Sequence, residues 1–219
     1  MSTVAAPKKI SPLLAAYLTS LAAHPLRTKA ITTSVLQFLQ EVLATHLAGE
    51  RAPRVSKDAP AYAHALAAAK INPKAYKMAL YGFCVSAPLG HTLVGLVQKL
   101  FAGKTSLAAK IGQLLLGNLV VAPIQVAVYL TFTAIINGAR SVDDVAKTLK
   151  AGFFKALQVT WMTLPLTMVI AQRYLAPELW VPFINLVQFC TGTYFNTKLK
   201  KIRMAMEAKA KKDEEEKKE

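Results

Sequence analysis

The sequence predicts an all-α fold, a polytopic bundle of transmembrane helices with four spans, short amphipathic surface helices and room for a fifth embedded segment. Three observations carry this. The stretch Leu114–Ile136 lies in a run without a single charged side chain between Lys110 and Arg140. As a helix its 23 residues would rise about 34 Å, enough to cross a bilayer's hydrocarbon core. The whole chain is 53% apolar and only 18% charged, with mean hydropathy +0.33, whereas soluble domains carry about 25% charged residues. Finally, the charges are segregated into the N-terminal arm, the connections and the C-terminal end. Residues 1–197 are therefore read as one helical membrane domain, and 198–219 as a charged cytosolic tail.

In chain order, residues 1–24 are basic and free of acid, but they have an interrupted apolar stretch and no small-residue cleavage site. They loosely resemble a mitochondrial presequence; with no Arg before Arg27 and two prolines, cleavage is not expected. Ser11-Pro12 can start a short helix over Leu13–Ala23, because Pro is favoured at the first helical position. After the break at His24-Pro25, Leu26–Ala48 forms a long helix of modest apolar character. Thr33, Gln37, Gln40, Glu41 and Thr45 fall on one face of it. A carboxylate at membrane depth is expensive, so Glu41 either faces a polar interior or lies near the interface.

Gly49–Lys77 is a basic connection with three prolines, inside which the alanine-rich Ala59–Ala69 can lie as a surface helix. Met78–Gln98 is the second span. Gly82, Ser86 and Gly90 recur on it every four residues and make a helix-packing face of small side chains. His91 on the same span is either an interhelical hydrogen-bond donor or a titratable group lining a pore. A short basic turn, Lys99–Lys110, leads into the third span, where Asn118, Gln125, Tyr129 and Thr133 share a face. Asn137-Gly138 ends it in a turn. Ala139–Lys150 is read as an amphipathic connection on the membrane surface, with Ser141 and Asp144 spaced as a variant capping box. Ala156–Gln172 is the fourth apolar span. After a break at Ala176-Pro177-Glu178, Leu179–Thr197 is a fifth apolar stretch with Asn185, Gln188 and Gly192 on its polar or small face.

Four apolar segments contain a proline (Pro88, Pro123, Pro165 and Pro182). Membrane helices tolerate this where neighbours or water satisfy the freed carbonyl, so these are packing kinks or points on an aqueous path. Cys84 and Cys190 have no metal or CxxC spacing, and neither a metal site nor a cofactor is expected. The net charge of +15 is of a size often seen in nucleic-acid binders. Here Lys and Arg flank apolar spans instead, as interface anchors and topology signals, and no nucleic-acid partner is expected. No Ser-His pairing, phosphate loop or paired intramembrane carboxylates point to an enzyme, and no catalytic residue is assigned.

Several residues resemble the twenty-two-kilodalton peroxisomal membrane protein family, other members of which lie in the mitochondrial inner membrane. The entry into the first long helix is similar through Tyr17, Leu21, Pro25, Thr28, Lys29 and Ala30, and the second span through Tyr81, Gly82, Pro88 and His91. Ala122-Pro123 and Asn137-Gly138 match around the third span; Trp161, Pro165, Pro177, Trp180, Phe183 and Asn185 match near the end. The chain departs from the family's pattern at Gln40-Glu41, where a Gly-Asp pair is usual, at Gly117-Asn118 in place of Asp-Gln, and at Leu164-Pro165 in place of Trp-Pro. These departures mark a diverged branch.

The resemblance implies four spans with both ends in the cytosol. Charge counting agrees: with four crossings the basic arm, the second connection and the tail share one side. It also implies a multi-pass protein of the peroxisomal membrane, with the mitochondrial inner membrane as the alternative, delivered by the peroxisomal membrane-protein import machinery. The expected function is a pore-like pathway for small water-soluble metabolites, within the lipid bilayer and as a homo-oligomer. Thr33, Gln37, Glu41, His91, Asn118, Gln125 and Tyr129 are its candidate lining. The alternative is a non-conducting structural or interaction protein whose polar stripes are interhelical hydrogen bonds.

Overall fold

The structure, a computed structural model, describes residues 11–53, 55–56, 58–104, 106–175 and 179–216. The basic arm before Ser11, Arg54 and Lys57, the break at 176–178 with Pro177, and the last three residues lie outside the described residues. Helix α1 (Pro12–Ala23) starts as expected, with the Ser11 hydroxyl accepting from the Leu14 amide at 3.3 Å. Helix α2 (Pro25–Ala48) follows the break at His24, where Thr28 Oγ1 donates to the Ser20 carbonyl across the bend at 2.9 Å. It stops at Gly49, whose φ of 76° is left-handed and suits glycine. Helix α3 (Ala61–Ala68) is the short alanine-rich element.

Three long apolar helices follow: α4 (Pro73–Leu100), α5 (Leu107–Ile136) and α6 (Val142–Tyr174). Side chains of Asn72, Ser106 and Ser141 cap them by accepting from the amides of Ala75, Ala109 and Asp144. Asp144 in turn accepts from the Arg140 amide at 3.3 Å. Helix α7 runs from Trp180 to Glu216.

Helix α4 begins at Pro73 and α5 at Leu107, each inside a stretch read as a connection, and two further boundaries differ from the sequence reading. The connection Ala139–Lys150 is not a separate surface element; it and the fourth span form one helix of 33 residues. Nothing between them breaks the backbone ladder, and the Ser141 cap sets the start ahead of the charged residues. Likewise α7 does not change at Lys198, where the composition turns charged. It continues unbroken, and Lys200 is only 4% exposed.

Among the described residues, three helices are long and apolar enough to cross a membrane: Pro73–Leu100, Leu107–Ile136 and Val142–Ala171. Helix α2 and the first half of α7 miss this composition because each carries a polar stripe. Gln40 and Glu41 of the α2 stripe turn toward α7, and the α2–α7 contact is among the most extensive in the bundle. The helices close into a ring in which α2 packs on α4, α4 on α5, α5 on α6, α6 on α7, and α7 back on α2.

The packing is that of a membrane protein. Among the described residues ten of the sixteen buried apolar side chains are alanines, while Leu39, Leu43, Leu47, Leu114, Leu119, Met162 and Leu166 face outward. With lipid outside there is no hydrophobic gain in hiding large side chains, so small ones line the contacts and let backbones approach. At Gly82 an added Cβ would meet the Thr33 carbonyl at 3.0 Å and Ser34 Cα at 3.1 Å, both backbone of α2.

Helices α4 and α5 share a backbone device. Each contains Gly-x4-Ala-Pro, and in each the five residues before the Ala-Pro form a π-helical turn, Gly82–Ser86 and Gly117–Val121. The wider turn shifts hydrogen bonding to the i→i+5 pattern, which accommodates a proline that has no N–H and crowds the preceding carbonyls. In α5 the Ala122 amide donates to the Gly117 carbonyl. The next acceptor in that pattern, the carbonyl of Asn118, would need an amide from Pro123, which has none. The indole N–H of Trp161 on α6 supplies the missing donor at 2.8 Å. This neighbour repairs what the proline removes.

Candidate functional site

The polar centre of the bundle lies between α2 and α7. On α7, Gln188, Gly192, Asn196 and Lys200 recur every four residues and so line one face. The Asn196 and Lys200 side chains, with the backbone at Gln188 and Gly192, meet Gln40 and Glu41 of α2. Gln40 Nε2 donates to the carbonyls of Gln188 and Phe189 at 3.5 and 3.4 Å. It lies so close to Gly192 that a Cβ there would stand 2.6 Å from it.

One turn further, the Glu41 carboxylate accepts from Asn196 Nδ2 at 2.9 Å and from Lys200 Nζ at 2.7 Å. Lys200 also donates to Glu50 at 2.8 Å. Glu50 is brought there by the left-handed Gly49, after which its amide returns to the Thr45 carbonyl at 3.2 Å. Arg203, one turn beyond Lys200, donates to Glu50 and to Asn137, the residue that ends α5. Glu207 extends the chain of charges with an exposed contact to Arg203.

Two carboxylates thus face two cations in a cluster that ties α2, α7 and the end of α5. Glu41 and Lys200 are each 4% exposed. Burial pushes the Glu50 carboxyl up, but the Lys200 hydrogen bond and the charges of Lys200, Arg203 and Lys74 outweigh it and hold it below its ordinary value. Both carboxylates and the Lys200 ammonium find partners within the cluster, as a buried charged group requires. Among the described residues no three His, Cys, Asp or Glu side chains come together as a metal site.

The other candidate residues disperse. Thr33 and Gln37 face Gly82 of α4, and the buried Gln37 Oε1 has no partner among the described residues. Gln125 lies against Gly90, whose added Cβ would be 3.2 Å from its amide nitrogen. Tyr129 packs on Tyr81, ring centroids 6.2 Å apart, and Tyr81 packs on Phe132 at 5.1 Å. Asn118 donates to the Leu114 carbonyl of its own helix. His91 and Ser86 are half-buried. Gly82 therefore meets α2 and Gly90 meets α5, since the π turn between them rotates the small face from one neighbour to the next. Asn196, Lys200, Glu50 and Arg203 were not among the sequence candidates. The signal for the first two was the continued four-residue spacing beyond Gly192, hidden by the onset of the charged run at Lys198.

Fold and site together define a small multi-helix membrane protein held by a buried interhelical charge cluster. The profile of the Mpv17 / PMP22 family matches residues 134–196. The Woronin body membrane protein wscA of Aspergillus fumigatus is 50% identical over 191 residues, covering 87% of this chain and 78% of that one. The chain belongs to this family. The Woronin sorting complex protein of Neurospora crassa is 44% identical over 192 residues, but this chain spans only 58% of its length. Peroxisomal membrane protein 2 of Bos taurus is 27% identical, with 80% of this chain and 83% of that one covered. No solved structure matches the chain.

Proposed function

We propose that this chain is an interaction protein of the peroxisomal membrane, a non-conducting member of its family that serves Woronin bodies. It is a multi-pass membrane protein, and relatives carry the names peroxisomal membrane protein and Woronin body membrane protein. The observation that carries the non-conducting reading is the state of Glu41. The only acid on α2 accepts from both Asn196 and Lys200, and so holds the α2–α7 seam shut instead of presenting a carboxylate to water. The similarity to a Woronin body membrane protein supports the choice of partner organelle.

A second reading, a pore for small water-soluble metabolites formed within a homo-oligomer, is favoured by one observation. Gln37 Oε1 is buried without a partner among the described residues, and water in an interior path would satisfy it. The two readings separate in one experiment. The purified chain is reconstituted in liposomes for solute flux, and the tagged chain is followed in a filamentous fungus by density-gradient fractionation. Under the first reading, flux equals that of empty liposomes and the chain travels with Woronin bodies. Flux that changes with Glu41→Gln, in a chain that sediments away from Woronin bodies, would overturn it in favour of the pore.

A further inference from the structure

Behind the charge cluster, on the outer side of the same two helices, an open groove of about 530 Å³ runs between α2 and α7. Its walls are Leu43 and Leu47 from α2 and Phe189 and Cys190 from α7; its far end is formed by Lys198 and Lys201. The hydroxyls of Thr193 and Thr197, which also border it, donate to the Phe189 and Thr193 carbonyls of their own helix at 2.8 and 2.7 Å. The middle of the groove therefore offers no free donor. Leu43 and Leu47 are 41% and 59% exposed, large apolar side chains with nothing over them.

The two lysines differ from Lys200, their neighbour on the opposite face. Lys200 is spent on Glu41 and Glu50, while Lys198 and Lys201 are exposed and make no ion pair among the described residues. Lys198 Nζ instead lies 5.6 Å from the centre of the Tyr194 ring, which holds the ammonium at the rim of the groove. From Phe189 to Lys201 the helix rises about 18 Å. One leaflet of hydrocarbon is about 15 Å deep, so apolar walls along that length with cations at the end match a single phospholipid standing in its leaflet.

We infer that this groove is a binding site for one anionic phospholipid, its acyl chains along Leu43, Leu47, Phe189 and Cys190 and its phosphate between Lys198 and Lys201. The occupant is a lipid and not a soluble anion, because the cations close only one end of a surface that is otherwise apolar. It is anionic because two ammonium groups without a carboxylate partner face one headgroup. The site is separate from any conduction or partner-binding role.

The test is native mass spectrometry of the full chain in detergent, titrated with phosphatidylglycerol or with phosphatidylcholine of the same chains. Wild type should bind one phosphatidylglycerol at least tenfold more tightly than phosphatidylcholine. Lys198→Gln/Lys201→Gln should remove that preference, a loss of about 30-fold if each cation contributes as basic residues at membrane surfaces do. Leu43→Trp, which fills the groove, should weaken both lipids, and Lys209→Gln/Lys212→Gln, further along α7, should change neither. The inference fails if wild type shows no preference, if the Lys209 and Lys212 pair abolishes it equally, or if glycerol phosphate competes as well as the intact lipid.

Discussion

Replacing Lys200 with Met should be among the most damaging single changes in this chain. The substitution keeps the length of the side chain and removes only the ammonium that holds Glu41 at 2.7 Å and Glu50 at 2.8 Å. Glu50 keeps Arg203 as a partner. Glu41 keeps only the neutral amide of Asn196, and its residue is 4% exposed. Removing one member of a buried pair costs about 3–5 kcal/mol, because the other charge stays behind in a low dielectric. For a chain of this size each kcal/mol lowers the melting temperature by about 2–4 °C. The apparent Tm in detergent, followed by tryptophan fluorescence, should therefore fall by roughly 6–20 °C. Glu41→Gln should cost less, since Lys200 retains Glu50. The double variant Glu41→Gln/Lys200→Met should recover much of the loss, because no unpaired charge remains. A fall of less than about 2 °C for Lys200→Met, with a double variant that is simply additive, would refute the buried-pair account.

Further outcomes follow from the same geometry. Trp161→Phe removes the indole donor to the Asn118 carbonyl and should cost about 1–3 kcal/mol; in a Pro123→Ala background, where a backbone N–H is available again, thermal melts should show a smaller loss. Gly82→Val should destabilise by about 1–3 kcal/mol because it drives side-chain atoms into the backbone of α2, whereas Gly192→Ala meets the side-chain end of Gln40, which can shift at the expense of its hydrogen bonds, and should cost less in the same assay. The pH dependence of Glu50 has a definite sign. Its folded-state pKa lies below the ordinary 4.5, so its contribution is complete above that value and is lost as pH falls through the folded-state pKa. The Tm gap between wild type and Glu50→Gln should stay constant from about pH 8 to about pH 5 and shrink below about pH 4.5; a gap that widens on acidification would contradict the assignment.

Much of the architecture was legible in the chain. A charge-free run of the length of Leu114–Ile136 is long and apolar enough to cross a bilayer as a helix, and Ser11 and Ser141 mark helix starts through their own side-chain chemistry, whereas the caps at Asn72 and Ser106 lay inside stretches read as connections. The polar stripe of α2 was visible as well, and so was the fact that Glu41 needed a partner or water. The family's pattern departs from this chain at Gln40-Glu41, and these two residues make the contacts with α7.

Local sequence, then, determined which segments are helical and that they belong in a bilayer, because periodicity and hydropathy are properties of neighbours along the chain. Only the tertiary structure decided what Glu41 does. Its partners Asn196 and Lys200 are 155 and 159 residues away, and one of them lies in a run of charges that composition alone reads as a solvated tail. A lysine in water and a lysine in a buried pair have the same local sequence around them. What separates them is the face of α7 on which the residue falls, and the ring closure that sets that face against α2: position 200 points inward to Glu41, while positions 198 and 201 are exposed on the outer side.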